Sequence, residues 1–255
     1  MKHYKLIGCN ALRRELYACA ARSPNVVDIV MLPQGLHDQP DVLRSSVQRE
    51  ILAEAPAHSR PRHEQVKSIP VAAEKPYDAV LLGYALCSNG TAGLVAGGCP
   101  LVIPRAHDCI SLLLGSARRY REYFDCHPGT YWYSSGWIET SPMPGRARYE
   151  QALAYYKEKY GADNAEYLMQ VEADWYKAYR RAAYIDWGFP NRAMEQQFTR
   201  QCAADLGWEY DELPGDPALL QRLVDGLWPG DEFLVVPPGR RTEADPSGTL
   251  LKTDD

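Results

Sequence analysis

The chain has 255 residues, of which 45% are hydrophobic and 24% are charged, proportions that are typical of a globular protein and not of a disordered or fibrous one. It carries 28 Lys and Arg against 33 Asp and Glu, a net charge of −5. Since no block of basic residues occurs, we expect no nucleic-acid partner. No run of 18 apolar residues occurs either, and the first residues are polar and charged, so we expect neither a membrane segment nor a secretory signal.

The first 140 residues alternate between short apolar runs and amphipathic segments, which predicts strands separated by helices. The predicted strands are residues 4–7, 26–32, 78–82, 100–103 and 130–133. Helical patterns cover residues 11–21 and 41–55, and a further helix begins at Cys109. The polar residues 57–68 are predicted as a loop or a frayed helix. Strands spaced by helices form parallel sheets with right-handed crossovers, so we expect residues 1–140 to form one α/β lobe.

The second half has a different pattern. Residues 141–200 repeat tyrosines and leucines at three- and four-residue spacing, which predicts a helical region. Residues 201–240 return to a strand–helix–strand rhythm, and the polar residues 241–255 are predicted to be a disordered tail. The expected fold is therefore α/β, with an open, mostly parallel, Rossmann-like sheet and a helical insertion in the second half.

Seven cysteines are the strongest functional signal in the sequence. Without a secretory signal we expect a cytoplasmic protein with reduced thiols. Cys9, Cys87 and Cys109 follow the first, third and fourth predicted strands, and ligands of open parallel sheets bind beyond the carboxyl ends of strands. Three such thiolates suit zinc, or an iron–sulfur cluster with one open iron. The alternative is that each cysteine is simply a small residue near a tight turn.

Two histidines could complete a metal site. His107 lies two residues before Cys109, so one loop could place an imidazole and a thiolate on the same metal, and His37 follows the second strand. Zinc held in this way keeps an open position and favours a thiolate nucleophile for alkyl transfer. The alternative is that His107 or Asp108 only caps the helix that begins near Cys109. Cys126, beside His127, is an outside candidate.

Other side chains in the same crevice are candidates for ligand binding. Arg105 could hold a carboxylate or a phosphate through two hydrogen bonds. The turn that contains Ser88 and Asn89 could present backbone N–H groups to an anion, although a plain tight turn explains it equally well. The aromatic residues of segment 130–137 could line a pocket for a flat ligand. The sequence contains neither of the two standard nucleotide-binding motifs, the P-loop and G-x-G-x-x-G, and it lacks the G-x-S-x-G elbow of serine hydrolases.

Several motifs occur together in this chain. They are Gly8-Cys9 followed by Arg14-Glu15-Leu16, and the runs LPQGLHD (32–38), GYALCSNG (83–90), PRAHDC (104–109) and HPGTYWY (127–133). On the basis of these motifs, the chain resembles a family of prokaryotic proteins known as domain-of-unknown-function family 1638. The resemblance covers about residues 5 to 240. Members often accompany corrinoid-dependent methyltransferases, so the resemblance implies one-carbon metabolism or corrinoid handling. It implies no residue roles and no mechanism.

These observations predict a cytoplasmic, metal-dependent methyl transferase that works with a corrinoid protein or methyltransferase partner on a small molecule. The expected metal is zinc, and the expected site residues are Cys9, Cys87, Cys109 and His107 as metal ligands, His107 and Arg105 as catalytic groups, and Ser88, Asn89 and His37 as cofactor contacts. Three alternatives stay open: a non-enzymatic protein that binds or delivers cobalamin, a [4Fe–4S] protein with three cysteine ligands, and an interaction protein with incidental thiols.

Overall fold

A computed structural model describes residues 1–53, 76–245 and 250–254. The loop or frayed helix predicted over residues 57–68 lies outside the described residues. The strands are β1 (His3–Cys9), β2 (Val26–Leu32), β3 (Ala79–Gly83), β4 (Leu101–Pro104), β5 (Thr130–Tyr133), β6 (Arg181–Asp186), β7 (Glu209–Pro214), β8 (Phe233–Val236), β9 (Thr242–Asp245) and β10 (Leu250–Thr253). The helices are α1 (Arg13–Arg22), α2 (Pro40–Leu52), α3 (Cys109–Leu113), α4 (Ala117–Cys126), α5 (Ser135–Thr140), α6 (Arg146–Tyr160), α7 (Ala162–Tyr176), α8 (Arg192–Leu206) and α9 (Ala218–Asp225).

The first sheet has five strands in the order β2-β1-β3-β4-β8. Its first four strands are parallel, and β8 pairs antiparallel with β4. Along β1, Leu6 faces one buried cluster and Ile7 faces another. Apolar side chains on both faces of a strand are typical of a parallel sheet covered by helices on both sides. The expected α/β fold with a mostly parallel sheet is confirmed.

A second, three-stranded parallel sheet has the order β5-β6-β7. The sequence predicts that residues 130–133 extend the first sheet, but the structure places them in this second sheet as β5. It also predicts helix throughout residues 141–200, but Arg181–Asp186 form the central strand β6. The sequence pattern was misleading because Ala182 and Ala183 carry little strand signal, and the helical spacing of apolar and aromatic residues continues to Tyr179, two residues before the strand begins.

The predicted disordered tail is also wrong for the residues that the structure describes there. Strands β9 and β10 pair antiparallel, with Thr242 opposite Thr253. Thr242 is buried and its hydroxyl donates a hydrogen bond of 2.7 Å to the carbonyl oxygen of Thr91, and Leu251 is buried as well. Two buried side chains thus hold a segment whose composition is otherwise polar. Among the described residues, no helix is both long and apolar enough to cross a membrane.

The two sheets meet where α5 approaches the turn after β1. Gly136 in α5 lies against the backbone of Ala11, so close that a Cβ at position 136 would lie 2.1 Å from the carbonyl oxygen of Ala11. Arg14 donates a hydrogen bond of 2.6 Å from Nε to Glu139 across the same junction. Only glycine permits this approach, because any side chain would push the two backbones apart.

We therefore expect Gly136→Ala to lower the free energy of unfolding by about 1–3 kcal/mol or more, the usual effect of overpacking. Chemical denaturation would measure it. Gly98→Ala is the matched control, since a Cβ there meets nothing within 4 Å, and its effect should stay within about 0.5 kcal/mol. Equal effects of the two substitutions would contradict the close contact.

Glu15 is a buried carboxyl at this junction, with 1% of its surface exposed and no hydrogen-bond partner for Oε2 among the described residues. Burial, with smaller contributions from the nearby carboxylates of Glu139 and Glu195, raises the pKa of Glu15 to about 8 against the opposing effect of Arg14. The folded protein therefore favours the protonated carboxyl. Its stability should fall as pH rises from the unfolded-state pKa of a glutamate, about 4.3, towards 8.

Glu15→Gln should remove this pH dependence. Relative to the natural protein, the variant should gain up to about 1.4 kcal/mol per pH unit across that window, and nothing below it. Unfolding curves between pH 4 and pH 9 would measure the difference, with Glu122→Gln, at an exposed position, as control. A difference that does not change with pH would show that Glu15 is ionised in the folded protein.

Candidate functional site

A cavity of about 480 Å³ lies at the carboxyl ends of β1, β3 and β4 and is closed on its other side by residues of the second sheet and α4. We call it the thiol pocket. It brings together most of the side chains that the sequence predicts as site residues, namely Cys9, His37, Cys87, Ser88, His107 and Cys109. The rule that ligands bind beyond the carboxyl ends of parallel strands therefore led to residues that line one pocket.

Cys9 is the last residue of β1, and a short 3-10 turn follows it. Burial raises the pKa of the Cys9 thiol, whereas the backbone N–H of Ala11 and the hydroxyl of Tyr84 lower it. The turn that orients Cys9 is also the turn against which Gly136 packs. The position of this thiol therefore depends on the junction between the two sheets.

Cys87 is held by an unusual backbone. Beyond the ends of β3 and β4 the two chains stay paired, since Leu86 N donates to Ala106 O at 2.9 Å and Cys87 N donates to His107 O at 3.0 Å. Cys87, Ser88 and Asn89 then adopt φ angles of 47°, 56° and 64°. Left-handed backbone costs an L-residue about 1–2 kcal/mol, so three such residues in a row are strained. Strain of this kind clusters at functional sites.

Cys109 is the first residue of α3. Asp108 caps this helix, because its Oδ1 accepts hydrogen bonds from Ile110 N at 3.1 Å and Ser111 N at 3.2 Å. The capping alternative therefore holds for Asp108. His107 has no such role in the cap; its exposed side chain lies at the rim of the thiol pocket.

The three thiols influence one another. Burial, together with smaller effects of Cys9 and Asp108, raises the pKa of Cys87 to about 12. Burial likewise raises the pKa of Cys109 well above its usual value, and Cys87, Asp108 and Cys9 raise it further. No Lys or Arg is among the described residues that line the pocket. The thiols therefore stay protonated at neutral pH unless a cation enters.

Tyr84 is the site residue that sequence reasoning missed. It is 3% exposed, and its buried hydroxyl lies beside the thiol of Cys9, whose pKa it lowers, and makes no other hydrogen bond in the described part of the chain. Burial raises the pKa of Tyr84, and so do the adjacent Cys9 and Cys87. The only sequence signal was its place between Gly83 and Cys87. A buried hydroxyl beside three thiols is a donor that a thiolate or a ligand could use.

Two predicted residues lie elsewhere. Arg105 donates from Nε to Gly230 O at 2.9 Å and from Nη1 to Leu251 O, so it ties the first sheet to β10. It lines a neighbouring cavity of about 700 Å³ and not the thiol pocket. Asn89 is exposed and its carbonyl oxygen accepts from Arg44 at 3.2 Å. Cys126 is exposed at the end of α4, also outside the pocket.

The wall opposite the thiols is aromatic. Its rings are Tyr120, Phe124, Trp132, Trp137 and Tyr179. The sequence predicts an aromatic wall only from segment 130–137, which supplies Trp132 and Trp137. The rings of α4 brace it, since the ring centroids of Tyr120 and Trp132 are 5.8 Å apart. Such a wall excludes water and offers flat contact area to a ligand.

The donor atoms of the pocket are of the types that a sulfur-preferring metal binds, but they are not arranged as a metal site. In the described ranges, no group of three or more His, Cys, Asp or Glu side chains is arranged so that it could hold a metal ion. The predicted ligands Cys9, Cys87 and Cys109 thus share one pocket wall, and they would have to move closer together to bind one ion.

Comparison with known proteins gives one finding. Residues 31–224 match the family described as "Protein of unknown function (DUF1638)". This segment contains Cys87, His107 and Cys109 and begins after Cys9. No curated protein and no solved structure matches the chain.

Removing the hydroxyl of Tyr84 should make Cys9 harder to ionise, because that hydroxyl lowers the pKa of the thiol. We expect Tyr84→Phe to shift the alkylation of Cys9 by iodoacetamide to higher pH, as followed by mass spectrometry of the peptide. The exposed thiol of Cys126 serves as the internal control and should not shift. Alkylation of Cys9 at lower pH in the variant would contradict the contact.

Proposed function

We propose a function for this chain from two premises: it belongs to the DUF1638 family, and three of its thiols line one pocket. The protein binds a thiophilic metal ion, with zinc favoured, and serves methyl transfer linked to a corrinoid or a related one-carbon reaction in the cytoplasm. The observation that carries this proposal is the convergence of Cys9, Cys87 and Cys109 from three strand ends without a compensating positive charge.

The electrostatics of the pocket support a cation as its occupant. Each of the three thiols has a raised pKa because of burial, and the negative charge of any thiolate among them would raise the pKa of the others. A cation that entered the pocket would reverse this effect and release the thiol protons. Thiolates prefer zinc and similar soft or borderline metals over magnesium or calcium.

Each residue of the pocket then has an expected task. Cys9, Cys87 and Cys109 donate sulfur, and His107 at the rim supplies either a fourth donor or a proton acceptor. Tyr84 donates a hydrogen bond to a sulfur atom, while Ser88 and His37 contact the ligand at the mouth. A bound zinc ion supplies Lewis acidity and stabilises a thiolate nucleophile.

Metal binding requires a rearrangement, because the donors do not form a metal site as described. The left-handed turn of Cys87, Ser88 and Asn89 is the segment most suited to move, since a change there relieves backbone strain. The corrinoid connection rests on the family resemblance alone. In this scheme a corrinoid protein or a methyltransferase is the partner, and Arg105 in the neighbouring cavity contacts an anionic part of the small-molecule substrate.

A second candidate is favoured by the aromatic wall. Two imidazoles, His37 and His107, share a pocket with Trp132 and Trp137. That combination suits a planar ligand with a metal at its centre, so the protein would bind or deliver cobalamin without catalysing a reaction. The thiols would then be incidental.

Metal and colour analysis of anaerobically purified protein separates these functions. We expect about one zinc per chain, the stoichiometry of a single site, and loss of that zinc in Cys87→Ser and in Cys109→Ser. Cys126→Ser is the matched control and should keep the metal, because Cys126 is exposed and outside the pocket.

The other outcomes overturn the zinc proposal. Iron with broad visible absorbance would indicate a [4Fe–4S] cluster on the same three cysteines. A metal-free, folded protein that changes the spectrum of added cobalamin would support the second candidate. A metal-free protein that leaves cobalamin unchanged would contradict both.

A further inference from the structure

The hairpin of α6 and α7 exposes large side chains that most helices bury. No side chain of α6 is buried, although the structure describes all fifteen of its residues. On α7, Ala165 and Met169 are buried, whereas Tyr167 and Val171 on the other side of the helix are 68% and 50% exposed. Exposed apolar surface of this extent on one element is typical of an interface with another molecule.

The charges of the two helices are opposite. Helix α6 carries four Lys or Arg and two Glu, whereas α7 carries four Asp or Glu and neither Lys nor Arg. At the tip of the hairpin, Lys157 and Lys159 end α6, and Asp163 and Glu166 begin α7. Within the described part of the chain, none of these four side chains forms an ion pair. Lys159 donates a hydrogen bond of 2.7 Å to the hydroxyl of Tyr155 and lies over the ring of Tyr160, contacts that leave its positive charge without a negative partner.

We propose that this hairpin is a dimerisation arm whose partner is the hairpin of a second copy of the chain. A twofold axis along the hairpin, with both tips at the same end, places α6 of each copy beside α7 of the other in antiparallel orientation. The four helices form an up-down-up-down bundle. The basic end of α6, where Lys157 and Lys159 point to different sides of the helix, then lies beside Asp163 and Glu166 of the second copy, and the exposed face of Tyr167 and Val171 is covered.

This arrangement satisfies both observations at once. A self-complementary surface needs opposite charges on its two halves, which α6 and α7 supply, and an apolar surface between them, which the tyrosines supply. A partner of uniform charge, such as an anionic membrane surface, would match only one of the two helices. The interface lies on α6 and α7, so the inference does not depend on the metal or cofactor proposed for the thiol pocket.

Sedimentation velocity of the full chain tests the proposal. We expect the natural protein to be a dimer at micromolar concentrations, and Tyr167→Glu to weaken association by about tenfold or more. Met194→Glu is the matched control, because Met194 is 67% exposed on α8, outside the hairpin, and it should not affect association. A monomeric natural protein, or a Tyr167→Glu variant that remains fully dimeric, would overturn the proposal.

A charge exchange tests the pairing itself. One variant carries Lys157→Glu and Lys159→Glu, and a second carries Asp163→Lys and Glu166→Lys. Each alone should associate more weakly than the natural protein, since like charges then meet across the twofold axis. In the equal mixture one chain carries four acidic side chains at these positions and the other carries four basic ones, so both contacts of a mixed dimer are complementary in sign and this mixture is the decisive sample. It should regain dimerisation, with circular dichroism confirming helix content; failure to regain it would place the interface elsewhere.

Discussion

The thiol pocket depends on two backbone hydrogen bonds that extend the pairing of β3 and β4 past the ends of both strands. They join Leu86 to Ala106 and Cys87 to His107, and the left-handed turn of Cys87, Ser88 and Asn89 begins where this pairing ends. Because Cys109 follows His107 by two residues, the same bonds set the distance between two of the three thiols. The strain of the turn is offset by the buried hydroxyl of Thr91, which donates to Ala85 O at 3.0 Å.

The first sheet was predictable from the sequence because its strands contain apolar runs, such as Leu101–Pro104, that are bounded by glycines or prolines. The second sheet was not, because its central strand β6 has charged ends and two alanines in its middle. Without β6, residues 130–133 could only be added to the first sheet. The prediction of a disordered tail was wrong for a related reason. Composition alone does not show that Thr242 and Leu251 are buried against elements that are distant in the chain.

The candidate site was also predictable only in part, since the sequence indicated which cysteines share a pocket but not how far apart they lie. The positions of Cys9, Cys87 and Cys109 after strand ends were enough to place them in one pocket. The distances between their sulfur atoms depend on turn geometry, which a single sequence does not specify. Tyr84 was missed because only the folded structure places its buried hydroxyl beside Cys9. Arg105 was misplaced because its partners Gly230 and Leu251 lie far away in the chain.

The antiparallel pairing of β8 with β4 has a consequence for the order in which the molecule is built. The whole second sheet lies between these two strands in the chain, yet Leu101 pairs with Val236. During synthesis the edge of β4 therefore stays open until β8 has left the ribosome. The closure of so long a loop is slow, so the second sheet has time to fold first and to bring the ends of that loop together.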